Sequence, residues 1–233
     1  MRVVVPFAAE TPKTRLESVL SPAERAAFAR AMLADVLRAI VEVGHEPTVV
    51  STAPLELAAL DLSDEVTTAA TVTVDDRPLT DAVNAQLPWA GGDKADFTDA
   101  AAVAVIMADL ALATPDALER LLTADADIAI APGRAGGTNA LVVRDPAFTV
   151  DYHGASYLDH CEIGREVGAS LETVDSFRLG TDIDEPDDLV EVLVHGRKHD
   201  RAAAYLRELG FELDERDGRV GVVRDEASVA ETR

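Results

Sequence analysis

The stretch Ala101-Ala102-Val103-Ala104-Val105-Ile106-Met107-Ala108-Asp109 decides how the rest of the chain is read. Residues 101–107 are apolar without a break, and the run ends on a carboxylate. A short unbroken apolar run predicts a strand buried on both faces, as at the centre of a parallel sheet. Asp109 then stands at the carboxyl end of that strand, the rim where open α/β sheets bind ligands.

Toward the N-terminus, Arg2-Val3-Val4-Val5-Pro6 is a β-branched run stopped by proline and reads as a second buried strand, not a signal peptide. After a loop over residues 7–20, Ser21-Pro22-Ala23-Glu24 opens a helix. Ser21 is its N-cap, Pro22 takes the first helical position, and Glu24 closes a capping box. Phe28, Met32, Leu33, Val36, Leu37 and Ile40 recur at helical spacing until Gly44 stops them. Residues 47–51 and 72–74 read as strands, 55–60 as a short helix, 80–85 as a helix capped by Thr80, and 88–94 as a loop around Gly91-Gly92. Toward the C-terminus, Thr114-Pro115-Asp116-Ala117 caps another helix. Residues 127–131 read as a strand running into the glycine-rich loop 132–139. Strand 141–143, a loop and helix over 153–167, and a strand over 179–183 follow, and a helix runs from Glu185-Pro186 to about residue 195. This alternation predicts a doubly wound, mostly parallel α/β sheet over residues 1–195. Residues 196–233 read as an extension of the same domain: an amphipathic helix over 201–209 and a hairpin turning at Asp217-Gly218.

Composition narrows the partners. Of 233 residues, 43 are acidic and 21 are Lys or Arg, a formal charge of −22, and only Lys13, Lys94 and Lys198 are lysines. A nucleic-acid binder carries a basic patch, and none is visible. An acidic protein that binds nucleotides must neutralise phosphates locally, with a few cations and metal ions. Such a composition suits a salt-loaded cytoplasm, where screening over a few ångströms removes the self-repulsion. One cysteine, Cys161, cannot form an internal disulfide, which fits a reducing, cytoplasmic setting. No run approaches the ~20 apolar residues of a membrane span.

The rim rule selects the loop after the first strand, Asp109, the Gly136-Gly137-Thr138-Asn139 loop, and Asp182 with Asp184. In Asp182-Ile183-Asp184 the two carboxylates share a face while Ile183 points to the core. With Asp109 they form an oxygen set that suits Mg²⁺ bound jointly with phosphates; a solvated acidic turn is the plainer alternative. Lys13 and Arg15 are cations where a triphosphate needs neutralising. The glycine loop can expose N–H groups and a hydroxyl to an anion. His153, His160 and Cys161 lack a second ligand pair at zinc spacing. The P-loop signature Gly-x-x-x-x-Gly-Lys-Ser/Thr is absent from the sequence.

In order along the chain, several segments resemble the 2-phospho-L-lactate guanylyltransferase family of coenzyme F-420 biosynthesis. They are Lys13-Thr14-Arg15-Leu16, Leu20-Ser21-Pro22-Ala23-Glu24-Arg25, Asp109-Leu110-Ala111-Leu112-Ala113-Thr114-Pro115, Pro132-Gly133-Arg134-Ala135-Gly136-Gly137-Thr138-Asn139, Gly154-Ala155-Ser156-Tyr157 and Asp182-Ile183-Asp184-Glu185-Pro186. The resemblance implies a Rossmann-like fold of the nucleotide-diphospho-sugar transferase type. It implies a guanylyltransferase that joins GTP to 2-phospho-L-lactate, giving lactyl-2-diphospho-5′-guanosine and pyrophosphate. Mg²⁺ would lie on Asp109, Asp182 and Asp184, and the triphosphate on Lys13 and Arg15. The phosphorylated three-carbon acid would lie on Thr138, Gly154 and Ser156, beside Gly136, Gly137 and Asn139. The chain departs from the family at Ala8, where relatives often carry lysine, and at Ala111, where they usually carry proline.

Phosphoenolpyruvate or 3-phosphoglycerate are close alternatives as acceptor, since differences of that size are weakly discriminated. A sugar-phosphate or molybdopterin nucleotidyltransferase would carry Gly-x-Gly-x-Arg after the first strand, whereas residues 7–13 hold no glycine. A non-catalytic GTP-binding protein on the same fold is the alternative of another class. The hairpin could also offer an edge strand to a second copy, giving a homodimer.

Overall fold

The computed structural model describes residues 1–10, 12–87, 102–216 and 218–225. The expected loop over residues 88–94, Ala101 and Asp217 lie outside them. The strands β1 (Arg2–Phe7), β2 (Pro47–Ser51), β3 (Thr71–Val74), β4 (Val103–Ile106), β5 (Ile128–Pro132), β6 (Thr138–Val143) and β7 (Leu171–Thr173) form one sheet in the order β3-β2-β1-β4-β6-β5-β7. The run quoted first is therefore the middle strand, and all four of its residues are buried. Most pairings are parallel, but β6 runs antiparallel to both β4 and β5. That reversal brings the start of β6 to the rim where β1, β2 and β4 end.

Alternation along the strands divides the interior in two. Ala104, Ile106, Ala129, Ala131, Ala140 and Val142 face one core, and Val103, Val105, Ile128, Ile130, Leu141 and Val143 face the other. The alanine-rich face receives α1 (Pro22–Glu42) and α4 (Pro115–Leu122), whose apolar stripes approach closely because the sheet offers few long side chains there. The opposite face packs α3 (Leu79–Asn84) and α5 (Ser156–Val167). α1 begins as its sequence predicts, with a reciprocal capping box between Ser21 and Glu24. Thr114 likewise caps α4.

Local structure departs from expectation in two added elements and three changed ones. A short helix, α2 (Asp64–Ala69), follows a capping Ser63, and β7 joins the sheet edge; both are too brief to show a period. Residues 179–183 are not a strand. Phe177–Gly180 forms a helical turn, α6, and the following segment makes an isolated backbone bond from Ile183 N–H to the Asp109 carbonyl at 3.3 Å, with no ladder. The alternation itself survives, since Ile183 is fully buried and Asp182 and Asp184 are half-buried. Thr80 lies inside α3, behind Pro78, and its hydroxyl accepts the Tyr152 N–H at 3.0 Å. The helix expected from Glu185 opens as a 3-10 turn, Pro186–Asp188, before α7 (Leu189–His195).

The extension is α8 (Arg201–Glu208) followed by a separate hairpin, β8 (Phe211–Arg216) and β9 (Arg219–Arg224). Ala202, Ala203 and Leu206 pack into the core with α1, and charge adds a second tie. Asp35, 1% exposed, accepts the N–H groups of Arg201 at 2.8 Å and Ala202 at 2.9 Å, so a carboxylate of α1 caps the start of α8. Arg38 bridges Asp35 at 3.1 Å and Asp200 at 2.7 Å. Glu24 pairs with Arg224 of β9. Val222 packs against the core, while Val220 and Leu213 stay exposed.

Candidate active site

Lys13, Asp109 and Asp184 meet at the rim although 96 and 171 residues separate the lysine from its partners. The Lys13 ammonium lies 2.7 Å from Asp109 Oδ2 and 2.6 Å from Asp184 Oδ1, and its side chain is 9% exposed. Burial pulls its pKa down, but the charges and hydrogen bonds of Asp109 and Asp184 outweigh burial and leave it above the ordinary value. Its backbone sits in the left-handed region at φ 56°, which costs a non-glycine residue roughly 1 kcal/mol or more. The clamp between two carboxylates holds it there. Arg15 reaches Asp184 at 3.2 Å from a largely exposed position.

The third carboxylate, Asp182, accepts from Asn139 Nδ2 at 3.1 Å. Burial raises its pKa, the Asn139 hydrogen bond lowers it, and the charges of Asp109 and Asp184 raise it further. Asn139 also donates to the Leu179 carbonyl at 2.9 Å, so its side chain holds the Asp182 segment from behind. Gly133 makes room for it: a Cβ there would stand 2.5 Å from Asn139 Oδ1. Asp188 accepts the N–H groups of Asp184 at 3.0 Å and Glu185 at 2.8 Å, fixing the loop that carries Asp184. Asp109 Oδ1 is buried with no hydrogen-bond partner among the described residues. An unpaired buried carboxylate oxygen is costly unless a donor or cation completes it. Among the described residues, no three His, Cys, Asp or Glu side chains stand grouped as a ready metal cage, and the cation between Asp109 and Asp184 is Lys13.

Beside this cluster a cavity of about 340 Å³ opens at the carboxyl ends of β1, β2 and β4, the rim where open α/β sheets bind ligands. Phe7, Val50 and Met107 give it apolar walls, while Lys13 and Asp109 stand at one side. Asp75 and Arg77, between β3 and α3, line the cavity and pair with each other. Their Asp-Asp-Arg-Pro stretch after a strand was the signal available.

Thr138, Ser156, Gly136 and Gly154 gather at a second place on the rim, where β6 and α5 begin. The Thr138 N–H donates to Ser156 Oγ at 3.0 Å, and Thr138 Oγ1 lies 2.8 Å from His160 Nδ1. Gly136 and Gly154 adopt left-handed φ of 86° and 52°, which shape the two turns around these hydroxyls. Gly137 precedes Thr138, and its carbonyl accepts from Gly133 N–H at 2.8 Å. His153, His160 and Cys161 do not form a common site: both ring nitrogens of His160 are engaged, His153 is exposed beside Asp151, and Cys161 is buried in the core.

Known proteins resemble this chain at two levels. It is 69% identical to the 2-phospho-L-lactate guanylyltransferase of Haloterrigena turkmenica, over 98% of this chain and 99% of that one. It is 53% identical to the enzyme of that name from Haloferax volcanii (97% and 99% covered) and 46% identical to that of Methanoregula boonei (95% and 94% covered). The haloarchaeal relatives agree with the salt-adapted composition. Among solved structures, a nucleotide-diphospho-sugar transferase from Desulfovibrio desulfuricans superposes with a TM-score of 0.65 at 17% identity, covering 89% of this chain and 94% of that one. A nucleotidyl transferase from Methanothermobacter superposes at 0.53, also at 17% identity, covering 88% and 97%. At such identities the likeness establishes the Rossmann-like fold alone. The family described as guanylyl transferase CofC like matches residues 1–225, and this chain belongs to it.

Proposed function

We propose that the protein transfers guanylate from GTP to 2-phospho-L-lactate, releasing pyrophosphate, as a step of coenzyme F-420 biosynthesis. The observation that carries this is the juxtaposition of Lys13, Asp109 and Asp184 beside the rim cavity, in a chain 69% identical to a named guanylyltransferase. A phosphate oxygen of the acid attacks the α-phosphorus; the new O–P bond forms as the bond to the β-phosphate oxygen breaks, and that electron pair leaves with pyrophosphate. The attacking phosphate is largely a dianion at neutral pH, so no general base is required. Catalysis rests on positioning and charge neutralisation.

An ammonium carries three donors, and two of those of Lys13 go to Asp109 and Asp184, leaving one for a phosphate oxygen. Arg15, paired with Asp184, adds a second cation beside it. Asp109, Asp182 and Asp184 would supply the oxygens for Mg²⁺, although they do not stand as a ready cage: among the described residues Asp109 Oδ1 has no hydrogen-bond partner, and burial and then the charges of Asp109 and Asp184 raise the pKa of Asp182, which a cation would relieve. Mg²⁺ held there would neutralise the charge of the triphosphate and leaving group. Thr138, Ser156, Gly136, Gly137 and Gly154 receive the acid, and Asn139 holds Asp182. Among the described residues no helix is long and apolar enough to cross a membrane, and a cytoplasmic homodimer completes the reading. A monomer in sedimentation at micromolar concentration would remove the dimer.

The test is pyrophosphate release with Mg²⁺ in concentrated potassium chloride, pairing GTP or ATP with 2-phospho-L-lactate, phosphoenolpyruvate or 3-phosphoglycerate. Release is expected with GTP and 2-phospho-L-lactate and should stop on chelation of the metal. Release with a different acid reassigns the acceptor. GTP binding without release from any pair replaces the enzyme with a binding protein.

A further inference from the structure

The structure assigns His160 a positioning role: its buried ring holds one tautomer that forces the Thr138 hydroxyl to act as a hydrogen-bond donor toward the anionic acid. The inference rests on the acid-site reading above and adds a residue to it.

The argument is one of proton accounting. The backbone N–H of Asp151 donates to His160 Nε2 at 3.0 Å. A backbone N–H can only donate, so Nε2 presents its lone pair. A neutral ring then carries its proton on Nδ1. Nδ1–H donates to Thr138 Oγ1 at 2.8 Å. The ring is fully buried, with Tyr152 edge-on at 5.1 Å and Phe148 at 6.0 Å. Burial pushes its pKa down to about 4 against the opposing pull of Asp159 and Asp151, so it is neutral at working pH. Thr138 Oγ1 is thereby an acceptor from His160, and its own proton must turn elsewhere. Ser156 Oγ is in the same position, because it accepts the Thr138 N–H at 3.0 Å. Among the described residues neither hydroxyl has a protein acceptor.

Two hydroxyl protons without protein acceptors lie side by side where β6 and α5 begin, between the turns of Gly136 and Gly154. That arrangement selects a ligand group with acceptors and no donors, a carboxylate or phosphate. The opposite tautomer would reverse it, since Thr138 would donate to Nδ1 and have no proton to offer. The Asp151 N–H is therefore a distant determinant of which way the Thr138 hydroxyl faces.

Two substitutions separate the halves of the ring. His160→Asn keeps an N–H donor at the place of Nδ1. His160→Gln keeps an amide at the place of Nε2 and removes the donor to Thr138. With GTP, Mg²⁺ and 2-phospho-L-lactate in concentrated potassium chloride, His160→Gln and Thr138→Val should each raise KM for the acid on the order of tenfold, the effect of about one hydrogen bond. KM for GTP should stay unchanged, His160→Asn should stay within about twofold of the parent, and the double variant Thr138→Val/His160→Gln should add nothing further. Equal losses in the Asn and Gln variants, or a matching rise in KM for GTP, overturn the positioning role while leaving the acid site standing. No change in Thr138→Val overturns the acid-site reading itself. Nitrogen-15 NMR of the unmodified protein reads the tautomer without any substitution: a proton on Nδ1 is expected, and a proton on Nε2 overturns the inference.

Discussion

Two charged clusters in this molecule use the same residue types for opposite ends. Under the C-terminal extension, Asp35 and Asp200 have every carboxylate oxygen engaged by backbone N–H groups or by Arg38 and Arg197. The polar atoms there without a hydrogen-bond partner among the described residues are guanidinium nitrogens, Arg38 Nε and Arg197 Nη2. At the rim, Lys13 is clamped in a left-handed backbone between Asp109 and Asp184, a buried Asp109 oxygen has no hydrogen-bond partner among the described residues, and the pKa of Asp182 is raised by burial and then by the charges of Asp109 and Asp184. The first cluster is closed and holds two elements together. The second is kept incomplete at a cost in stability, and what it lacks is a cation or a donor. That incompleteness is what the proposed binding of Mg²⁺ and phosphates calls for.

The largest effect that would break this comparison is on turnover. Asp109→Ala or Lys13→Ala should lower kcat by on the order of 10²–10³ or more, the scale for removing one preorganised electrostatic group, while thermal unfolding changes little. Full activity in Asp109→Ala would put the rim cluster in the same class as the Asp35–Asp200 cluster, a latch between α1 and α8. The converse substitution, Asp35→Ala, should cost about 3 kcal/mol of stability, as expected when one partner of a buried pair is removed, with kcat in the folded enzyme near that of the parent. Denaturant titration at constant salt measures it.

The latch also has a pH signature. Burial raises Asp35 to about 6, against the pull of the Ala202 and Arg201 N–H groups and Arg38. The folded state therefore holds the proton more tightly than the unfolded chain. This contribution is full below about pH 4 and is lost as pH rises through about 6, a swing on the order of 2–3 kcal/mol that Asp35→Asn should flatten. The smallest effect belongs to Glu24. Its hydrogen bond to Arg224 leads the causes that lower its pKa to about 2, so its contribution is present above about pH 4.5 and is lost as pH falls toward 2. Glu24→Gln should cost no more than about 1 kcal/mol, read as a small drop in unfolding midpoint at neutral pH.

What could be read from the sequence follows the range of the physical signal. α1 was legible to its first residue because a capping box spans four positions, and β4 because an apolar run on both faces declares itself. β7, with three residues, carries no period. The reversal of β6 is a property of pairing and leaves no mark on the strand's own residues. Residues 179–183 misled because alternation is also produced by an extended segment pinned at one point. At the site, Lys13, Arg15, Asp109, Asp182 and Asp184 were legible as rim residues and Asp75 and Arg77 were not; nor was the clamp of Lys13 between Asp109 and Asp184, since the partners lie in three distant segments. His160 drew notice only as a metal candidate. Its bond to Thr138 depends on β6 and α5 starting side by side, which no local spacing encodes.

The sheet order has a consequence for how the enzyme comes into being on the ribosome. Strands β1 to β3 are consecutive neighbours, so the first third of the emerging polypeptide can assemble its own parallel ribbon over α1. Every later strand of this sheet, β4 to β7, is then added on the side of β1 away from β2, while β8 and β9 pair only with each other. Lys13 leaves the exit tunnel early but meets its last partner, Asp184, only after most of the chain has been made. A nascent chain paused before that point has a folded half and no complete rim cluster, so the capacity to handle GTP as proposed arrives late, with the closing segments of synthesis.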